Sequence, residues 1–190
     1  MTTARRLEIA QATARVIADE GLDQASLREI ASAMGVTVGT LTHQFRDRDD
    51  LLRTTLEATA ASIRARAMRS AEGKSGRALL VAQQSEALPS DETRRVEAAV
   101  WLAFATSSLS SEAHAARYRQ LYGEWEDGLT EIVEGLEDRQ VGDPRMAARL
   151  IIAATDGIAL RALTTGGLSG AEQERMLSEA IAAVVGRDRP

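Results

Sequence analysis

The chain has 190 residues, with 44% hydrophobic and 27% charged side chains and a net charge of −5 at pH 7. It contains no cysteine, which excludes disulfides, thiolate metal sites and a thiol nucleophile. It also lacks an apolar run of the roughly 18 residues that a membrane span needs, and Glu8 interrupts the stretch where a signal peptide would be apolar, so we expect a soluble protein of the cytoplasm.

The pattern of apolar residues and helix-ending signals predicts an all-α chain with about nine helices. Three prolines, many alanines and only 3% aromatic residues favour helices over strands. Ser26, Thr37, Asp47 and Ser169 are predicted to cap four of the helices. The predicted helices lie at residues 5–20, 27–34, 38–44, 48–72, 75–87, 90–109, 111–137, 144–165 and from 169 onward.

Two short helices meet at Gly35-Val36-Thr37, a connection too tight for a third element between them. Ala31 is small where a second helix would cross closely, and Gly35 permits a positive φ at the turn. Val36 and Leu41 supply apolar contacts between the two helices. This spacing is typical of a helix-turn-helix, in which the second helix enters the DNA major groove, although other helical hairpins also match it.

The flanks of this motif resemble the TetR family of bacterial repressors. The resemblance implies a three-helix DNA-binding head over residues 1–48 and a helical ligand-binding and dimerisation body over residues 49–190. It also implies a homodimer that binds a palindromic operator in double-stranded DNA and needs no cofactor. The matching residues are Ser26 to Ala31, Gly35 to Leu41, His43 to Phe45, Arg48, and Leu51 with Leu52.

The resemblance also implies which residues contact DNA. Hydroxyls at the start of the third helix suit a phosphate or a base edge, although Thr37 is equally well explained as a helix cap. The family most often has tyrosine at the position of Thr42, so a phosphate contact is shorter or absent there, and His43 and Gln44 become the larger readers. Arg48 matches a family lysine that faces phosphate, whereas Arg5, Arg6 and Arg15 are expected to be solvated, with at most Arg5 and Arg6 forming an N-terminal arm near phosphate. The predicted DNA-binding residues are Arg28, Thr37, Val38, Gly39, Thr40, Thr42, His43, Gln44 and Arg48.

The body resembles the choline-sensing repressors of betaine synthesis, a looser match that regulators with other ligands share. Aromatic residues concentrate between residues 101 and 125, where they either line a pocket or fill a helical core. An aromatic box with one carboxylate would suit a quaternary ammonium or a polyamine. The predicted ligand-binding residues are Gln83, Glu97, Trp101, Phe104, Tyr122, Trp125 and Asp156.

The predicted helix at residues 144–165 is apolar on two faces, which indicates a partner outside its own bundle. The resemblance implies that this helix and the last one form a four-helix dimer interface. The predicted interface residues are Leu150, Ile151, Ala154, Ile158, Leu177, Ile181 and Val184.

We therefore expect a transcriptional regulator, most simply a repressor that a small molecule releases from its operator. Residues 1–70 carry ten arginines and nine acidic residues, and the remainder is acidic, which permits a DNA-facing end but does not require one. The alternative is a ligand- or partner-binding helical protein with weakened DNA binding, which the lack of lysine in the head favours. An enzyme is not expected, because the chain has only two histidines and its glycine-rich segment at residues 166–170 lacks the strand and lysine of a phosphate loop.

Overall fold

The computed structural model describes residues 3–136 and 142–186, and every regular element in these ranges is a helix. The all-α prediction and the order of nine helices are thus confirmed for the described residues. The predicted end of the seventh helix near Glu137 lies outside them. The helices are α1 (Thr3–Glu20), α2 (Leu27–Ala33), α3 (Val38–Thr42), α4 (Arg48–Ser70), α5 (Gly76–Ser85), α6 (Glu92–Ser107), α7 (Glu112–Glu134), α8 (Pro144–Thr165) and α9 (Gly170–Val185).

The predicted caps form in the structure, which is why the helix starts were predictable. The hydroxyl oxygen of Ser26 accepts a hydrogen bond from a backbone N–H at 3.1 Å, and that of Thr37 accepts one at 3.3 Å. A carboxylate oxygen of Asp47 accepts one at 2.7 Å in the first turn of α4. At α9 the box is reciprocal, because Ser169 and Glu172 each bind the backbone N–H of the other. Each cap satisfies amides that have no partner within the helix.

The chain packs as two compact units. The first contains the described residues of Met1–Ser62 and Ala99–Tyr118, and the second those of Ile63–Ala98 and Arg119–Pro190. In the first unit α1 to α4 pack around fully buried side chains. These include Ile9, Ile30, Leu41, Phe45, Leu51, Leu52 and Leu56.

The second unit has its own apolar core, to which α5, α7, α8 and α9 contribute. The core residues include Leu80, Leu129, Val133, Ala147, Ile151, Ile152, Leu177 and Ile181. Within residues 3–136 and 142–186, none of the helices combines the length and the apolarity that crossing a bilayer requires.

Candidate nucleic-acid interface and ligand site

The turn between α2 and α3 has the geometry of a helix-turn-helix. Gly35 adopts φ +64°, a left-handed conformation that favours glycine. Its N–H donates to the carbonyl of Ser32 at 3.0 Å, and the N–H of Val36 donates to that of Ala31 at 2.9 Å. These bonds close the end of α2, and the chain reverses at once into α3. The buried side chains of Ala31 and Leu41 hold the two helices together.

The outer face of α3 is exposed. Val38 has 41% of its surface exposed, and Gly39, Thr42 and His43 are exposed as well. The threonine hydroxyls are partly used within the helix, since Thr37 Oγ1 caps it and lies 3.2 Å from Thr40 Oγ1. Thr42 Oγ1 donates to the carbonyl of Gly39 at 3.3 Å. The groups that point outward are therefore one apolar side chain, one imidazole and the backbone at Gly39.

Gln44 lies beyond the last residue of α3, although the sequence predicts it as the end of that helix. Its side chain is half-buried, and its Oε1 is enclosed without a hydrogen-bond partner among the described residues. Its backbone carbonyl accepts a hydrogen bond from Arg6. A base contact by Gln44 requires the side chain to turn outward, so this assignment stays a prediction.

Arg48 is half-buried and is used inside the first unit. Its Nε donates to the carbonyl of Ala25 at 2.8 Å, and its Nη2 donates to the carbonyl of Leu22. Both carbonyls lie in the connection between α1 and α2, and that of Leu22 also accepts from the backbone N–H of Ala25 at 3.2 Å. The structure thus gives Arg48 a clamping role that the sequence does not indicate. Its predicted phosphate contact stays a prediction.

Arg6 is also held by contacts within the first unit, although 36% of its side chain is exposed, so the expectation of a simply solvated side chain is wrong. Its guanidinium lies over the ring of Phe45, donates to Thr54 Oγ1 at 3.0 Å and is 3.7 Å from a carboxylate oxygen of Asp50. Asp50 is buried and also accepts from the backbone N–H of Arg46 at 3.2 Å. Burial raises the pKa of Asp50, but that hydrogen bond and the nearby guanidinium groups outweigh it and lower the pKa below its usual range.

Two exposed arginines lie on either side of α3 in the chain. Arg28 is in the first turn of α2, where its contact with the DNA backbone stays a prediction, and Arg46 is in the connection between α3 and α4. Sequence reasoning missed Arg46, because it lies between Phe45 and Arg48 at a position that the family resemblance does not single out. Only the structure draws attention to Arg46, because it shows that Arg46 is exposed while the neighbouring Arg48 is turned inward.

The aromatic residues predicted to form one pocket fall into the two separate units. In the first unit, the rings of Trp101 and Tyr118 are 4.9 Å apart, and Phe104 meets His114 edge-on at 5.2 Å. Phe104 is only 1% exposed, so it acts as a core residue. In the first unit, the structure therefore favours the core-filling alternative for Phe104.

The second unit combines an aromatic pair with a carboxylate. Tyr122 on α7 donates its hydroxyl to Oδ2 of Asp156 on α8 at 2.6 Å, and its ring meets Trp125 edge-on at 5.7 Å. Burial raises the pKa of Asp156, and the hydrogen bond from Tyr122 counteracts part of this effect. This arrangement brings together three of the predicted ligand-binding residues. A desolvated carboxylate that is hydrogen-bonded to one ring of an aromatic pair is chemically suited to a cation.

Of the remaining polar candidates in the second unit, Glu97 has a charged partner in the protein. Glu97 is buried and forms an ion pair with Arg66, which also pairs with Glu86 at 3.0 Å. Its carboxylate is therefore neutralised within the fold. Gln83 is half-buried on α5, and the adjacent Gln84 is buried and accepts from Thr155 Oγ1 at 3.5 Å.

The faces of α8 and α9 are assigned differently from the prediction. Ile151, Ile158, Leu177 and Ile181 belong to the buried core of the second unit, so they have little surface to offer a partner. Ala154 and Val184 are half-buried, and Leu150 is 49% exposed. The apolar stripe that α8 leaves exposed consists of Met146, Leu150, Ala153, Gly157 and Leu160.

Comparisons with known proteins agree with this architecture. Residues 9–55 match the family model of the bacterial regulatory proteins of the tetR family. Residues 76–186 match the model of the C-terminal domain of BetI-type transcriptional repressors. The regulator BetI of Proteus mirabilis is 30% identical over 95% of this chain and 92% of its own length. PksA of Bacillus subtilis, also a transcriptional regulator, is 29% identical over 84% of this chain and 78% of its own length.

Solved structures show the same fold over nearly the whole chain. A transcriptional regulator from Rhodococcus sp. Rha1 superposes with a TM-score of 0.87 at 29% identity, covering 99% of this chain and 100% of that one. A transcriptional regulator from Saccharomonospora viridis, solved in complex with choline, superposes with a TM-score of 0.85 at 22% identity. The match covers 97% of this chain and 98% of that one.

Proposed function

The chain belongs to the TetR family of bacterial transcriptional regulators, and we propose that it is a repressor released from a palindromic operator by a small cationic molecule. The observation that carries the DNA-binding part is the tight turn at Gly35, with the outer face of α3 left free. Such a helix presents its exposed side chains to base edges in the major groove. Val38 suits the methyl group of a thymine, and His43 suits an acceptor on a purine.

A homodimer is part of this proposal, with the exposed stripe of α8 as its centre. The stripe residues Met146, Leu150, Ala153, Gly157 and Leu160 follow one another at spacings of four, three, four and three. This is the spacing at which two helices pack side by side, and the small residues in the middle allow a close approach. A second copy buries the same stripe across a two-fold axis. Two recognition helices about 34 Å apart then read successive major grooves.

The proposed effector is a quaternary ammonium or another small organic cation. Asp156 supplies a negative charge, and the rings of Tyr122 and Trp125 supply the aromatic faces that attract a cation. The likeness to the choline-bound regulator from Saccharomonospora viridis makes choline the first probe. Binding of the cation neutralises a carboxylate that the protein otherwise holds at a desolvation cost.

Release from DNA then follows as a shift between two conformations of the dimer. One conformation spaces the two heads to fit the operator, and the other binds the effector more tightly. The effector can weaken DNA binding at most by the ratio of its affinities for the two conformations.

The experiment that tests this function starts from genomic DNA. Purified protein is incubated with sheared genomic fragments, the bound fragments are sequenced, and the enriched duplex is titrated with and without choline. We expect an enriched palindrome and an affinity for it that falls when choline is added. Recovery of no fragment above background at low salt would instead favour the alternative, a helical ligand- or partner-binding protein with weakened DNA binding.

A matched pair of variants locates the effector site. Asp156→Asn removes the carboxylate but keeps an oxygen acceptor for Tyr122, and we expect this variant to bind the operator and to ignore choline. Glu131→Gln removes an exposed carboxylate from the same helix that carries Tyr122, and we expect it to respond as the parent does. An equal response from both variants would place the effector elsewhere.

A further inference from the structure

We propose that Arg46 is a DNA phosphate contact of this regulator, and that the neighbouring Arg48 acts instead as a structural clamp. The inference rests on the DNA-binding role of the N-terminal helices. It concerns the charged residues around α3, which make the sequence-independent contribution to DNA affinity.

The first argument is that most guanidinium groups near α3 are already used. Arg48 donates to two carbonyls of the connection between α1 and α2. Arg6 is held by Phe45 and Thr54. Arg53 pairs with Asp50 at 2.7 Å. A guanidinium that already satisfies buried acceptors loses those bonds if it turns toward a phosphate.

The second argument is that Arg46 combines a fixed backbone with an exposed side chain. Phe45, the residue before it, is 2% exposed and anchored in the core. The N–H of Arg46 itself donates to the buried carboxylate of Asp50 at 3.2 Å. The side chain nevertheless lies in solvent, where its charge acts on the carboxylate of Asp50 only as one of several nearby guanidinium groups. The protein therefore holds the base of this side chain in place and leaves its charge available.

The third argument concerns charge. Asp47, which follows Arg46, and Asp49, in the first turn of α4, are both exposed. Without a free guanidinium, this connection would present negative charge to a DNA backbone. Arg46 offsets that repulsion, and a guanidinium can donate two parallel hydrogen bonds to one phosphate. Arg46 follows α3 by four residues, so it lies next to the helix that enters the groove.

The test compares Arg46→Gln, Arg48→Gln and Arg15→Gln. Arg15 is an exposed arginine of α1 and serves as the control for losing one positive charge. Affinity is measured by fluorescence anisotropy between 50 and 300 mM salt, for both the selected operator and a random duplex of the same length. Thermal unfolding of each variant is measured in parallel.

For Arg46→Gln we expect an unchanged Tm and a weaker affinity for both duplexes. The slope of log K against log salt should become shallower by about 0.9 per bound chain. At 0.15 M salt this corresponds to a roughly fivefold loss of affinity for each chain bound. For Arg48→Gln we expect a lower Tm. For Arg15→Gln we expect the Tm and the salt slope of the parent. A parental salt slope in Arg46→Gln would overturn the assignment, as would a reduced slope with a parental Tm in Arg48→Gln. Failure of the parent to bind either duplex would overturn the DNA-binding function as well, so the two failures are distinguishable.

Discussion

The guanidinium of Arg6 lies 4.2 Å from the centre of the Phe45 ring and so ties the start of α1 to the connection between α3 and α4. The same guanidinium donates to Thr54 and to the backbone carbonyl of Gln44. One side chain thus links α1, the connection that follows α3, and α4. The orientation of α3 in the first unit depends on this link.

Arg6→Met should therefore destabilise the first unit. Methionine keeps an apolar chain against Phe45 but removes the cation and its hydrogen bonds, and we expect a loss of about 1–3 kcal/mol. Urea unfolding followed by circular dichroism measures this loss. Arg15→Met changes an exposed arginine on the same helix and is the control. Equal stability of the two variants would show that the Arg6 contacts contribute nothing.

Asp50 should make the stability of the chain depend on acid pH. The pKa of Asp50 is lower in the folded protein than the ordinary value of 3.8, because its hydrogen bond and the nearby guanidinium groups outweigh its burial. Its contribution is therefore complete above the unfolded pKa and is lost as the pH falls through the folded one. We expect Asp50→Asn to be less stable than the parent at pH 7, with a difference that narrows below pH 4. Urea midpoints between pH 7 and pH 3 test this, and a constant difference would contradict it.

The helix order and the caps could be predicted because their signals are local. Ser26, Thr37 and Asp47 each bind a backbone N–H three residues away, so the residue type and its spacing are sufficient. Asp156 stood out as a polar residue on an otherwise apolar helix, and Tyr122 as a member of the aromatic cluster, so both could be predicted as candidates. Their pairing could not, because no sequence spacing brings α7 and α8 into contact.

The roles of the arginines and the faces of α8 could not be predicted in this way. Arg6, Arg46 and Arg48 are equivalent as residue types, and only the packed structure shows which carbonyls and rings lie within reach. The sequence also places Leu150 and Ile151 on the same apolar stripe of α8, as two equivalent interface residues. Ile151 faces the chain's own core because α9 packs there, whereas Leu150, one residue away, is left exposed.

Asp156 should lower the stability of the second unit at neutral pH. Its raised pKa means that the folded form holds the proton more tightly than the unfolded form. Its favourable contribution is therefore complete below the unfolded pKa and is lost as the pH rises through the folded one. We expect Asp156→Asn to raise the Tm at pH 8 by about 2–4 °C, which corresponds to roughly 1 kcal/mol in a chain of this size. The gain should shrink toward pH 4.

Tyr122→Phe is the matched control, because it removes the hydrogen bond and leaves the carboxylate. We expect it to lower the Tm at pH 8, since the ionised Asp156 then loses its donor. Choline should raise the Tm of the parent and leave that of Asp156→Asn unchanged. A lower Tm for Asp156→Asn than for the parent at pH 8 would show that the ionised carboxylate stabilises the fold.

The exposed stripe of α8 should decide the oligomeric state. Leu150 is 49% exposed at the centre of that stripe, and a charge there would be buried without a partner in a dimer. We expect Leu150→Glu to sediment as a monomer at concentrations where the parent is a dimer, with unchanged helix content. Leu109, which is 89% exposed and lies outside α8 and α9, provides the control. Leu109→Glu makes the same chemical change and should sediment as the parent does. Because an operator with two half-sites needs two heads, Leu150→Glu should also lose most of its preference for the palindrome over one half-site. A dimeric Leu150→Glu with a parental preference would place the interface on another surface.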